Sequence, residues 1–168
     1  MLEFRKARLE DLPALLSLYK AGQAFQVASG NPHQWPPGYP EPSRLEAEIK
    51  TGDFYLASQD QEIVIAFYLM PAPDPTYQEI HDGPGWLNDH DYVAVHRFVT
   101  KYPGLGLGKK ALDWIQGLGT QIRIDTHQQN GPMRQLLEKA GYAYCGIIYL
   151  ENGDPRLAYQ FRGKERVK

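Results

Sequence analysis

The sequence predicts an α+β domain built on a mixed, mostly antiparallel sheet of six to seven strands with about four helices. Three observations carry that prediction. The period of the apolar residues changes along the chain in the order β-α-α-β-β-β-α-β-α-β-β. Ile63 to Met70 is apolar at every position, the pattern of a central strand covered on both faces. Between Val93 and Ile115 a β-rich run feeds a turn with glycines at alternate positions, Gly104, Gly106 and Gly108, and then an amphipathic helix.

The elements follow in order. Leu2 to Arg5 alternates as a short edge strand. Leu9, Leu12, Leu15, Leu16 and Tyr19 recur at helical spacing, and the helix is expected to fade around Ala21-Gly22. Gly30 to Pro42 holds five prolines and two glycines around Trp35 and Tyr39, which no regular element accommodates. Trp35 and Tyr39 either plug the core edge or line a substrate pocket. Ser43, with Glu46 three residues on, predicts a capped helix through Ile49 that Gly52 stops. Phe54–Ser58 and Ile63–Met70 pair around the polar turn Gln59 to Glu62. Pro71 to Asp91 is a second irregular stretch, read as a solvated loop that Trp86 anchors. Its pairs His81-Asp82 and Asp89-His90 lack metal-ligand spacing, so no metal is expected. Gln121 to Asp125 is a strand, and Asn130-Gly131-Pro132 opens a helix through Ala140, stopped by Gly141. Tyr142–Leu150 and Arg156–Phe161 form a hairpin about Asn152-Gly153, and the polar tail beyond is expected to fray.

Composition narrows the function classes. With 168 residues, 42% of them hydrophobic, one domain over 1–168 can bury a real core. A net charge of −2 lacks the basic surplus a general nucleic-acid binder needs. The start Met1 to Lys6 has no apolar signal core, and the longest apolar run falls far short of the roughly 20 residues that span a bilayer. No nucleic acid and no membrane are therefore expected as partners. Cys145, the only cysteine, lies in an apolar run and reads as a small buried hydrophobe in a cytoplasmic protein.

A strand, a glycine turn and a helix start make an anion cradle, because glycine admits close backbone approach and the first helical N–H groups lack internal partners. A P-loop is excluded: Lys110 follows Gly108-Lys109 where Ser or Thr is needed. A dinucleotide fingerprint has a different third spacing, and too little chain follows to complete its sheet. The run Tyr102-Pro103-Gly104-Leu105-Gly106-Leu107-Gly108-Lys109 resembles the acetyl-CoA loop of the GCN5-related N-acetyltransferase superfamily, Arg/Gln-x-x-Gly-x-Gly/Ala. Pro103 stands in place of the Arg or Gln. Asn130 to Tyr142 resembles the same superfamily's Asn-x-x-Ala-x-x-Leu-Tyr-Glu-Lys-x-Gly-Phe. Together with His96-Arg97 and Arg123 to His127, the phrasing is similar to an uncharacterised bacterial branch.

The resemblance implies a three-layer α/β/α fold, acetyl-CoA as cofactor, and direct acetyl transfer to a primary amine of a small molecule or peptide. It implies that Phe98 and Val99 lie along the pantetheine arm, that Leu105, Leu107 and the three glycines hold the pyrophosphate, and that Lys109 or Lys110 adds charge. Asn130 completes the cofactor set. The amine must lose a proton to attack, and His96 is the candidate base, against the alternative of a core histidine. The family's acidic tyrosine is replaced by Leu137. Tyr142, Tyr144 and Tyr149 are the nearby substitutes; Tyr142 reads as core, strand parity selects none, and Tyr149 is the candidate acid. Asp125 and His127 share a face and are expected to orient the Asn130 loop. Trp35 and Tyr39 are the candidate acceptor-binding residues. Without the tyrosine, a non-catalytic acyl-CoA-binding module is the alternative. A homodimer through edge strands near the C-terminus is left open.

Overall fold

The computed structural model describes residues 1–162, so most of the tail expected to fray lies outside the described residues. Seven strands form one mixed sheet in the order β1-β2-β3-β4-β5-β7-β6. They are β1 (Glu3–Lys6), β2 (Phe54–Gln59), β3 (Glu62–Pro71), β4 (Tyr92–Thr100), β5 (Gln121–Thr126), β6 (Tyr142–Tyr149) and β7 (Pro155–Phe161). Four helices accompany them: α1 (Leu12–Ala28), α2 (Pro42–Lys50), α3 (Leu107–Gln116) and α4 (Gly131–Lys139). The order of elements along the chain is the one the sequence predicts. By packing, the chain divides into two compact units, 1–69 with 96–111, and 70–95 with the residues from 112 onward.

In the first unit β1, β2 and β3 run antiparallel, with Phe4 opposite Ala57 and Phe54 opposite Tyr68. The β2–β3 turn is tight because Asp60 and Gln61 both take positive φ, as a two-residue turn matching strand twist requires. Val64 to Phe67 are all buried, which confirms β3 as an interior strand. Two helix boundaries differ from expectation. Helix α1 does not fade at Gly22 but continues to Ala28. Gly22 serves close packing rather than termination: a Cβ there would sit 2.6 Å from Val99 Cγ2 and 3.3 Å from the Trp35 ring. Helix α2 begins earlier than the Ser43 cap predicts. Pro42 takes its first turn, where a missing N–H removes no bond, and Glu41 is the cap residue without a side-chain capping bond.

In the second unit β4 and β5 are parallel from Tyr92↔Gln121 to Val95↔Ile124, whereas β7 pairs antiparallel with both β5 and β6. Asn130 caps α4 as predicted, its Oδ1 accepting from the Met133 N–H at 3.2 Å. The β6–β7 turn is wider than a two-residue Asn152-Gly153 hairpin. The register closes at Tyr149↔Pro155, and Leu150 and Asp154 pair across the loop.

The stretch 71–91 is largely exposed with Trp86 as an anchor, as the sequence reads, and it is tethered at further points. Asp74 caps a short 3-10 turn at Pro75–Tyr77, and the Trp86 indole N–H donates to the Tyr77 carbonyl at 3.0 Å. Arg123 lies between the Trp86 and Tyr92 rings, at 4.3 and 4.1 Å, and donates to the Asn88 carbonyl. His81 exchanges two backbone hydrogen bonds with Ile147, and the Gly85 N–H donates to the Cys145 carbonyl. This segment therefore occupies the outer edge of β6 between Cys145 and Ile147, the edge through which a strand-paired dimer would form.

Candidate active site

The glycine turn has the conformation an anion cradle needs. Gly104 and Gly106 have φ of +83° and +75°, the region that only glycine enters without strain, and a Cβ at either would meet nothing within 4 Å. Helix α3 starts at Leu107, so Gly108 lies in its first turn. The ladder begins with the Lys110 N–H donating to the Gly106 carbonyl at 3.1 Å. The N–H groups of Leu107 and Gly108 precede that bond and have no intrahelical acceptor. Leu107 is buried and fixes the helix, Leu105 is exposed, and Lys109 and Lys110 are exposed beside the turn. Open glycine backbone, a helix N-terminus and two cations fit a pyrophosphate.

The strand that leads into this turn is interrupted. The Tyr92 carbonyl accepts from Ala72, just past β3, and the Lys101 N–H donates to the β3 residue Val64. Both residues turn their backbone groups toward β3, yet nine positions separate 92 from 101. A strand alternates with period two, so an odd separation demands one extra residue. Arg97 is that residue, with φ of +58°, the one position of β4 at positive φ. Beyond the bulge, Val99 keeps phase with Lys101, while Phe98 and Thr100 face away from β3. The β4–β5 register ends before them, at Val95.

Arg97 is held on three sides. Its Nε and Nη2 donate to the Glu48 carboxylate at 3.1 and 2.8 Å, and its Nη1 donates to the Tyr39 hydroxyl. Its carbonyl accepts from the Tyr19 hydroxyl at 2.5 Å. The side chains of Arg97 and Glu48 are each only 12% exposed. Burial alone would lower the guanidinium pKa, but Tyr39 and Glu48 outweigh it and hold the group above its ordinary value. Burial pushes the Tyr19 phenol well up, so it remains a donor. Trp35 packs against both Tyr19 and Tyr39 in tilted ring contacts, with centroids 5.6 and 5.5 Å away. Trp35 is 6% exposed and is part of the core, whereas Tyr39 is half-buried against Arg97. Sequence reading missed Glu48 and Arg97. Arginine is not a turn-forming residue, and a glutamate at helical spacing resembles any surface glutamate.

The other predicted residues are placed as follows. His96 is half-buried on β4 directly before the bulge, and Phe98 is half-buried with its ring stacked on Phe67 at 6.3 Å. Tyr149 ends β6, 46% exposed, with its ring edge-on to His81. Tyr142 is buried against Phe161, and burial pushes its phenol up to about 12, the core role expected of it. Leu137 is fully buried on α4, so the family's tyrosine position is a core position here. Asp125 and His127 divide their tasks, which amends the expected shared one. Asp125 accepts from the buried Tyr77 hydroxyl at 2.6 Å, and only His127 turns to the Asn130 loop, accepting from the Gln129 N–H. Cys145 is buried, and burial raises its thiol pKa. Among the described residues no group of three or more His, Cys, Asp or Glu could hold a metal ion, and no helix is long and apolar enough to cross a membrane.

No family model matches the sequence. A curated relative, the uncharacterised N-acetyltransferase YesJ of Bacillus subtilis, is 23% identical over 111 residues, which cover 61% of this chain and 59% of the relative. The chain thus spans less than two thirds of that relative's length. Among solved structures, an acetyltransferase of the GNAT family from Streptococcus agalactiae is 29% identical and superimposes with a TM-score of 0.85, covering 95% of this chain and 94% of that one. The PaiA N-acetyltransferase of Thermoplasma acidophilum, solved in complex with coenzyme A, superimposes with a TM-score of 0.61 at 17% identity, covering 96% and 99%. The seven-stranded mixed sheet, the glycine turn opening α3 and these relatives point one way: the chain has the fold of the GCN5-related N-acetyltransferases and is similar to them in sequence.

Proposed function

We propose that this chain, as a single domain in the cytoplasm, is an N-acetyltransferase that moves the acetyl group of acetyl-CoA to a primary amine of a small molecule or peptide. The observation that carries the reading is the bulged β4 running into an open glycine turn and a helix start. Acetyl-CoA supplies an activated thioester; the protein supplies position, charge and proton handling. The N–H groups of Leu107 and Gly108, with Lys109 and Lys110 beside them, bind the pyrophosphate. Phe98 and Val99 line the pantetheine arm, and Asn130 fixes the start of α4 next to its own loop. Backbone N–H groups beyond the bulge polarise the thioester carbonyl, where developing negative charge is best stabilised by fixed donors.

His96, half-buried on β4 directly before the bulge, takes the amine proton as general base. Tyr149 returns a proton to the leaving thiolate; its exposure suits exchange with water. Tyr39 borders the acceptor with Trp35 as its rigid backing. The buried Leu137 in place of a tyrosine supports the second reading, a binding module without transfer. Titration calorimetry with coenzyme A tests both, and release of free thiol from acetyl-CoA across an amine panel separates them. Binding without release on any amine favours the module, and absence of binding overturns both. His96→Ala is expected to lower turnover while leaving coenzyme A affinity within twofold; unchanged turnover removes the base assignment.

A further inference from the structure

We propose that Tyr19, Tyr39 and Glu48 are positioning residues that lock the Arg97 bulge, so that the Phe98 N–H is aimed at the thioester carbonyl. The inference rests on the acetyl-CoA reading and extends it to residues on α1, α2 and the loop between them. A non-glycine residue at positive φ is held only when its surroundings over-determine it. Arg97 meets that condition from both ends. Its side chain is gripped by Glu48 through two nitrogens and by Tyr39 through the third. Its carbonyl accepts from the Tyr19 hydroxyl at 2.5 Å. The peptide unit that follows is planar and trans, so a carbonyl turned toward Tyr19 turns the Phe98 N–H the opposite way. Alternation then places Phe98 out of phase with β3, and the β4–β5 register has already ended at Val95. The clamp thereby fixes a backbone donor that neither neighbouring strand claims.

Affinity for acetyl-CoA relative to S-ethyl-CoA, which lacks the carbonyl oxygen, reads this donor without any acceptor amine. The full chain is expected to prefer acetyl-CoA by about fivefold, the size of one modest hydrogen bond. Tyr19→Phe, which deletes only the hydroxyl, and Arg97→Ala, which cannot hold positive φ without strain, are expected to bring the ratio to within twofold of one. Arg97→Gly, which adopts positive φ freely, retains at least half of the preference even though it loses the ion pair. Circular dichroism establishes that each variant is folded, and a variant that unfolds leaves the decision to the other two. A ratio near one in the unmodified chain, or a ratio that Tyr19→Phe and Arg97→Ala leave unaltered, overturns the proposal while the acetyl-CoA reading stands. Failure of the unmodified chain to bind either thioester or thioether overturns the reading itself.

Discussion

Gly22→Ala sets two opposing effects against each other, and the structure decides the sign. Alanine is favoured over glycine inside a helix by up to about 1 kcal/mol, so an exposed position in α1 would gain stability from the change. Gly22 is buried, and the added Cβ would stand 2.6 Å from Val99 Cγ2 and 3.3 Å from the Trp35 ring. Neither neighbour is a flexible surface chain: Val99 is 4% and Trp35 6% exposed. Overpacking of a filled core costs about 1–3 kcal/mol, which exceeds the helix gain. The variant is expected to lose about 1–2 kcal/mol, a fall of roughly 4 °C in melting temperature for a chain of this size. Urea titration with an unchanged slope measures it. Val99→Ala removes the clashing methyl, so the double variant should recover about 1 kcal/mol relative to the sum of the two single changes. A Gly22→Ala protein more stable than the parent by 0.5 kcal/mol or more (roughly half the full propensity gain) would refute the close-packing argument.

Other outcomes follow from particular sites. Asp11 accepts two bonds from Arg5 at 2.8 Å and one from the Arg8 N–H, and the Arg5 hydrogen bonds lead in holding its carboxyl below the ordinary value. Its contribution is therefore full above the ordinary carboxylate range near ~4 and is lost as pH falls through the lowered folded value. Asp11→Asn should cost about 1 kcal/mol at neutral pH, given that Arg5 is partly exposed, with the gap to the parent closing in urea titrations below about pH 4. Gly106→Ala, forced to φ near +75° at an open position, should weaken coenzyme A binding about tenfold by calorimetry, the effect of roughly 1–2 kcal/mol of left-handed strain. Cys145 should react with Ellman's reagent slowly in the native protein and fully once guanidinium unfolds it, since burial both shields the thiol and raises its pKa.

The elements whose periodicity is set by burial were legible. Ile63 to Met70 reads as an interior strand because both its faces are covered, and Asn130-Gly131-Pro132 announces α4 because capping chemistry is local. The failures have tertiary causes. Gly22 carries the composition of a helix end, but its role is to admit Val99. The stretch from Pro71 to Asp91 is mostly exposed, as it reads, but its polar residues give no sign of the tethers, Asn88 meeting Arg123 and His81 pairing with Ile147. Ser43 and Glu46 have capping-box spacing, yet Pro42 with its preset φ already opens the helix.

At the site, sequence located the cradle and not the device beside it. Gly104 and Gly106 are legible because no other residue takes their φ without strain, so composition and conformation coincide. Arg97 is the reverse case. Its side chain carries no turn preference, and its left-handed backbone is imposed by Tyr19, Tyr39 and Glu48, which lie far away in sequence. Read as an uninterrupted strand, β4 would turn Phe98 toward β3 and Val99 away from it. The inserted residue reverses that assignment from Phe98 to Thr100, the segment the family resemblance places along the cofactor. A residue that breaks a local rule and is held by several distant partners marks a place where the fold serves something beyond its own stability. In this chain that place is the two residues His96 and Arg97, the first the candidate base and the second the bulge that aims the backbone after it.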